Sequence, residues 1–167
     1  MPASEFEIRR ATEADLPDIL SMIRGLAEYE NAAPGAVTAT ETQLRESLFG
    51  AHPGAEVLIA LSAGSAAGFA LFFHNFSTWR GRRTLYLEDL FVWPQMRRHG
   101  IGRALLGEVS RIALERGCPR LDWLVLDWNQ PAIDFYKSLG AQPLEEWTTF
   151  RLGEAALRAL AGLTSAP

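Results

Sequence analysis

Two carboxylates stand side by side in an otherwise apolar run, Tyr86-Leu87-Glu88-Asp89-Leu90-Phe91-Val92-Trp93-Pro94. Carboxylates are rarely buried without a partner. Either this is an edge strand whose charges meet water, or the pair binds a cation or accepts a proton. Successive strand residues face opposite sides, so two separate jobs are expected. Glu88 is assigned to a cleft. Asp89 is assigned a structural role, accepting hydrogen bonds from a neighbouring loop.

The run leads into Gln95-Met96-Arg97-Arg98-His99-Gly100-Ile101-Gly102-Arg103, and then into a long apolar-striped segment. A strand, a glycine-bearing loop and a helix start together make an anion site, because first-turn N–H groups lack intrahelical partners and the helix dipole favours negative charge there. Gly100 and Gly102 allow close backbone approach. Arg97, Arg98 and Arg103 suit a diphosphate. The Gly-Lys-Ser/Thr of a P-loop is absent, and a dinucleotide loop lacks its third glycine, with Leu105 in that place. What remains is Arg-x-x-Gly-x-Gly, or a surface turn that merely contains glycines. Further on, Trp128-Asn129-Gln130-Pro131-Ala132 opens a helix in which Ile133, Tyr136 and Leu139 share a face. Tyr136 reads as a phenol at a cleft or as a core aromatic with its hydroxyl at the surface.

These residues need elements to hold them. Phe6–Arg10 alternates as a strand. Thr12 caps a helix carrying Leu16, Ile19, Leu20, Ile23 and Leu26 to about Tyr29, and Thr40 with Gln43 forms a capping box for a second helix through Leu48. Val57–Leu61 and Gly68–Phe73 flank a Ser-Ala-Gly-Ser turn and read as a hairpin. Phe76–Arg83 reads as a loop and Leu85–Val92 as the carboxylate strand. Gly100–Arg116 reads as a helix striped by Ile101, Leu105, Val109 and Ile112. Leu121–Leu126, apolar on both faces, reads as a covered central strand. A helix follows from Asn129 to Leu139, then a last strand Trp147–Leu152, a helix Glu154–Ala161 and a loose tail from Thr164. The expected fold is one α/β (α+β mixed) domain over residues 1–167, with a core of about residues 6–152. It has a central mixed, twisted sheet, two parallel crossovers and helices on both faces.

Bulk properties narrow the class. The chain has 167 residues, enough for one domain with a real core, and a net charge of −4, which disfavours nucleic-acid binding. A single cysteine, Cys118, and three scattered histidines offer no disulfide and no metal-ligand spacing. Cys118 reads as a small buried residue. No apolar run approaches the roughly 18 residues of a membrane span, and the start shows no signal-peptide core. The expectation is a soluble, reduced, cytoplasmic protein without metal.

Taken as an ordered set, these residues resemble the GNAT acyltransferase superfamily. Arg97–Gly102 is similar to its acetyl-CoA pyrophosphate loop. Tyr86–Val92, Arg-x-x-Gly-Ile-Gly, Trp128-Asn129-x-Pro131, Phe135-Tyr136-Lys137-x-x-Gly140-Ala141 and Leu26–Glu30 resemble the spermidine/spermine N-acetyltransferase branch, from about Ile8 to Leu152. The resemblance implies acetyl-CoA lodged where two parallel strands splay, here those ending near Val92 and Leu126. Backbone amides of Leu90, Phe91 and Val92 would hold the pantetheine and polarise the thioester. Those of Arg98, His99, Gly100, Ile101, Gly102 and Arg103, with Arg97, would hold the pyrophosphate. Asn129 and Ala132 would contact the cofactor. Tyr136 would sit near its sulfur as general acid, and Glu88 would act as base. Tyr29, Glu30, Glu88 and Trp123 would line the acceptor side. The resemblance also implies a homodimer.

The branch pattern is not complete. Where the polyamine enzymes carry an Asp two residues before a Trp, this chain has Ser77 before Trp79, and Arg80, Arg82 and Arg83 add charge that repels a polycation. Asp127 replaces a Glu, and Arg98-His99 replaces Gly-Phe. A small primary amine, whether a polyamine, a monoamine or a lysine-like thialysine, is the expected acceptor, with Arg82 and Arg83 as candidate partners for an amino-acid carboxylate. A protein N-acetyltransferase and a non-catalytic acyl-CoA-binding module are the alternatives.

Overall fold

The computed structural model describes residues 6–163, so the tail expected from Thr164 lies outside the described residues. Residues up to Leu126 form one compact unit and those from Asp127 a second.

The first unit is a five-stranded sheet in the order β1-β2-β3-β4-β5. Its strands are β1 (Phe6–Arg10), β2 (Glu56–Ser62), β3 (Ser65–Ser77), β4 (Arg82–Val92) and β5 (Leu121–Asp122). β1 to β4 pair antiparallel, and β4–β5 is the parallel pair. Helices α1 (Leu16–Tyr29), α2 (Glu41–Phe49) and α3 (Ile101–Glu115) belong to this unit. Sheet alternation assigns the two faces. Val57, Ile59, Phe69 and Phe91 pack with Leu16, Ile19 and Met22 of α1 and Leu48 of α2. The fully buried residues of α3, Ile101, Leu105 and Val109, belong to the helix packed against β3 and β4. The hairpin turn has Ala63 at φ 48° and Gly64 at φ 79°, the two-residue geometry whose twist matches its strands.

Asp15 anchors the start of α1. Its carboxylate accepts from Arg9 at 2.7 and 2.8 Å and from the Thr12 N–H at 2.7 Å. Those bonds, the Arg9 pair foremost, hold its pKa down to about 2. A lowered carboxylate pKa stabilises above the unfolded value near 4, and the gain is lost as pH falls through about 2. Asp15→Asn is therefore expected to cost about 2 kcal/mol at neutral pH. In thermal melts the gap from wild type should close toward pH 2.

Three sequence expectations are corrected. The loop expected at Phe76–Arg83 shrinks to the turn between Ser77 and Arg82, because Arg82 and Arg83 pair with Ser77 and Phe76 on the ladder. The expected strand Leu121–Leu126 ends at Asp122, and Leu124 and Leu126 are exposed rather than covered. In the second unit, α4 (Gln130–Ser138) and α5 (Glu154–Leu160) form, but Trp147–Leu152 makes no strand. A strand exists by pairing, and no edge among the described residues pairs with that segment. Of the two expected parallel crossovers, only β4-α3-β5 ends in a strand.

Candidate active site

The site begins where β4 loses its neighbour. Its parallel pairing with β5 comprises Leu85↔Leu121 and Tyr86↔Asp122 and then stops. From Leu87 to Val92 the outer edge of β4 has no ladder partner among the described residues. The cause lies in β4 itself. Phe72 pairs with Leu87 and Leu71 with Asp89, so Glu88 is the extra residue of a β-bulge. A bulge bends its strand and increases the local twist, which carries β4 away from β5 directly after the last pair.

The bulge also resets sidedness. The expectation that Glu88 and Asp89 serve opposite faces assumed unbroken alternation. In the ladder Asp89 lies opposite Leu71, and Leu71 packs on the α1 core, so Asp89 is on the α1 face. Burial, then Glu88, then Glu30 push the Asp89 pKa up to about 6. Glu30 follows the last residue of α1, and burial raises its pKa as well. Burial, then Glu88 and Asp122, raise that of Tyr86. Asp89 does not accept the loop hydrogen bonds expected of it, since no donor among the described residues reaches its carboxylate. Three carboxylates thus share one field, Glu88 exposed and the other two half-buried. No group of His, Cys, Asp and Glu among the described residues could hold a metal ion.

Tyr29 joins this group through the loop, because the Arg97 guanidinium carbon lies 4.4 Å from the centroid of its ring. Trp123 is half-buried and follows Asp122, the last residue paired with β4. Arg82 and Arg83 are elsewhere. They stand six and five residues before Glu88 along β4, or about 20 and 17 Å at the usual strand rise. That exceeds an extended lysine, so these arginines are poor partners for its carboxylate within one chain.

Beyond β4 a 3-10 turn, Pro94–Met96, leads to Arg97. Arg98 is left-handed at φ 67° and Gly100 at φ 80°. Gly100 is the N-cap of α3 and supplies no side-chain cap, so the amides of Ile101, Gly102 and Arg103 lack helical partners. Arg98, His99 and Arg103 are exposed, Gly102 is half-buried and Ile101 is 2% exposed. The Phe91 side chain is also buried, at 3%. For Phe91 and Ile101, only the backbone is placed to meet a ligand.

Close packing fixes this edge. A Cβ at Gly68 would lie 2.6 Å from the Phe91 carbonyl oxygen and 3.3 Å from the Val92 Cα. Both are backbone atoms with no rotamer to yield. Gly68→Ala is expected to destabilise by about 1–3 kcal/mol, read as a lower denaturant midpoint at unchanged slope.

In the second unit, the Asn129 side chain accepts from the Ala132 N–H at 3.3 Å and caps α4. Asn129 is 6% exposed. Tyr136 is half-buried beside Phe135, with ring centroids 5.3 Å apart. Sequence reading missed the bulge, for which no glycine or proline signals, and the Arg97–Tyr29 contact, which joins distant segments.

An unpaired strand edge can align donors on a carbonyl, an uncapped helix start can take a diphosphate, and a carboxylate trio can draw in an amine. Residues 23–141 match the profile of the acetyltransferase (GNAT) family. The chain is 43% identical over 166 residues to a thialysine N-epsilon-acetyltransferase of Bos taurus, covering 93% of this chain and 96% of the relative. It is 31% identical over 198 residues to the L-ornithine N5-acetyltransferase NATA1 of Arabidopsis thaliana, covering 92% and 86%. Among solved structures, an integron cassette protein of V. cholerae superposes with a TM-score of 0.79 at 31% identity, covering 95% of this chain and 99% of that one. With the splayed strand, the glycine loop and the match over residues 23–141 all in place, the chain belongs to the acetyltransferase (GNAT) family.

Proposed function

We propose that this acetyltransferase moves the acetyl group of acetyl-CoA to the primary amine of a small, lysine-like molecule. The observation that carries the reading is the carboxylate trio Glu30, Glu88 and Asp89 beside the free edge of β4, with Asp89 held at a pKa of about 6. Such a site attracts an ammonium ion. The names of the relatives, thialysine and ornithine acetyltransferases, point to a side-chain amine on an amino acid.

An ammonium has no lone pair, and a lysine-like amine titrates near about 10.4. Glu88, through water, takes the proton. The freed nitrogen attacks the thioester carbon, and the amides of Leu90, Phe91 and Val92 meet the charge that forms on oxygen. The carbon–sulfur bond then breaks, Tyr136 donates its proton to the departing thiolate, and the nitrogen releases its extra proton to water to leave the neutral amide. The amides from Arg98 to Arg103 hold the pyrophosphate, and Asn129 and Ala132 line the pantetheine. Tyr29, Glu30 and Trp123 face the acceptor. The two positive-φ residues and the uncapped start of α3 are what fit the loop to a diphosphate.

A homodimer also belongs to this reading. Trp147, Phe150, Leu157, Leu160 and Leu163 are exposed at 52–90%, and a second copy that covered them would remove apolar surface from water. A cytoplasmic location is part of the same proposal.

Thiol release from acetyl-CoA with thialysine, ornithine, lysine, spermidine and small monoamines tests the reading. Preference for an amino-acid acceptor supports it. Preference for spermidine moves the acceptor to the polyamines. Silence with acetyl-CoA bound removes the small-amine reading and favours a protein acceptor or a binding module.

A further inference from the structure

One side chain joins the end of α1 to the loop after β4. The Nε of Arg97 donates to the Val92 carbonyl at 3.0 Å. Its guanidinium carbon lies 4.4 Å from the Tyr29 ring centroid and 6.0 Å from that of Phe91. Phe91 in turn meets Trp93 edge-on at 5.0 Å. Trp93 lies against α1 so closely that a Cβ at Gly25 would stand 2.6 Å from its ring. The last turns of α1 are therefore docked on the segment from Phe91 to Arg97, and the guanidinium completes the stack. Tyr29 precedes Glu30, whose charge reaches Asp89.

The next residue makes this contact conditional. Arg98 holds φ 67°, a conformation that non-glycine residues keep only when their surroundings enforce it. Rotating Arg98 out of the left-handed region would redirect the chain on either side of it. Arg97 is joined directly to that turn, so its bond to the Val92 carbonyl and its seat over Tyr29 tie the turn to the end of α1. A ligand bound to the amides that follow Arg98 selects the conformation in which the stack is complete. A cation over a tyrosine face at this distance is a favourable contact, so the preference passes to α1.

We propose that Arg97 is a positioning residue, not a phosphate ligand. It makes the acceptor-side pair Tyr29 and Glu30 depend on the state of the 97–103 loop. Filling that loop with a pyrophosphate-bearing ligand firms the end of α1 and raises affinity for the amine. The idea rests on the loop being the coenzyme A site, but not on which amine is acetylated.

Amide hydrogen exchange of the full chain, with and without saturating coenzyme A, tests it without any turnover. In wild type, coenzyme A is expected to slow exchange in two segments, residues 98–104 and residues 26–31, each by at least about fivefold, the lower range of site-to-site coupling. In Arg97→Ala and in Tyr29→Leu, protection at 98–104 should persist and protection at 26–31 should vanish. Tyr29→Phe keeps the ring and should keep both. Unchanged protection at 26–31 in Arg97→Ala or Tyr29→Leu overturns the proposal, as does its absence in wild type. If Arg97→Ala loses coenzyme A altogether while Tyr29→Leu keeps both protections, Arg97 is a phosphate ligand and the proposal fails. No protection at either wild-type segment rejects the coenzyme site itself. A protein that shows the coupling yet acetylates no small amine keeps this inference and loses the acceptor reading. For the active enzyme, the two truncations should raise the acceptor KM non-additively, with smaller changes in kcat.

Discussion

Asp89→Asn is expected to melt higher than wild type at pH 7.5 and close to it at pH 4. The Asp89 carboxyl has a folded pKa of about 6, raised by burial and by Glu88 and Glu30. In the unfolded chain it titrates near about 3.9. The folded state thus holds the proton more tightly. By linkage, stability falls as pH rises from about 4 to about 6, and the cost stays in place above that. Allowing for screening at a half-buried site, the penalty is on the order of 1–3 kcal/mol. For a chain of this length that is about 3–8 °C in Tm. The asparagine removes the charge and can donate to Glu30 or Glu88. Thermal melts across pH decide it. If the variant melts lower at every pH, the carboxylate makes a favourable contact and the strained-trio picture is wrong. The same substitution should weaken the acceptor KM, because a site that attracts an ammonium ion carries like charges that the fold alone would not select.

Tyr136→Phe should lower kcat by about 10²-fold or more, the usual share of a positioned proton donor. The coenzyme A dissociation constant should change by no more than about threefold, since only a hydroxyl is removed. The expulsion of a thiolate without a proton is the step affected. The loss should therefore shrink with acyl donors whose leaving thiol has a lower pKa. Steady-state kinetics beside calorimetric binding separates the two terms. Turnover unchanged within error would remove Tyr136 as the acid. Equal losses in turnover and binding would make it a packing residue of α4, where it stands half-buried beside Phe135.

Much of this protein was legible in its residues. Local rules were obeyed where the deciding interactions are local. Thr40 with Gln43 caps α2, Ala63-Gly64 turns the hairpin, Gly100 starts α3 and Asn129 starts α4. The ordered motifs from Leu26 to Ala141 carried the family, because loop glycines and helix starts act through their own backbone. What the sequence hid is what depends on a partner strand or a distant segment. The bulge at Glu88 is decided by register against β3. It breaks the simple alternation of the two carboxylates, sets Asp89 opposite Leu71, and comes directly after the last β4–β5 pair, Tyr86 with Asp122. The segment Trp147–Leu152 has strand composition but pairs with no strand among the described residues. Arg97 looked like one more cation for a diphosphate, and only packing of α1 on β4 brought it over Tyr29. Sequence determined which chemistry the chain carries. Tertiary structure decided which charges must share one space, because burial and like-charge proximity arise only when separate elements meet.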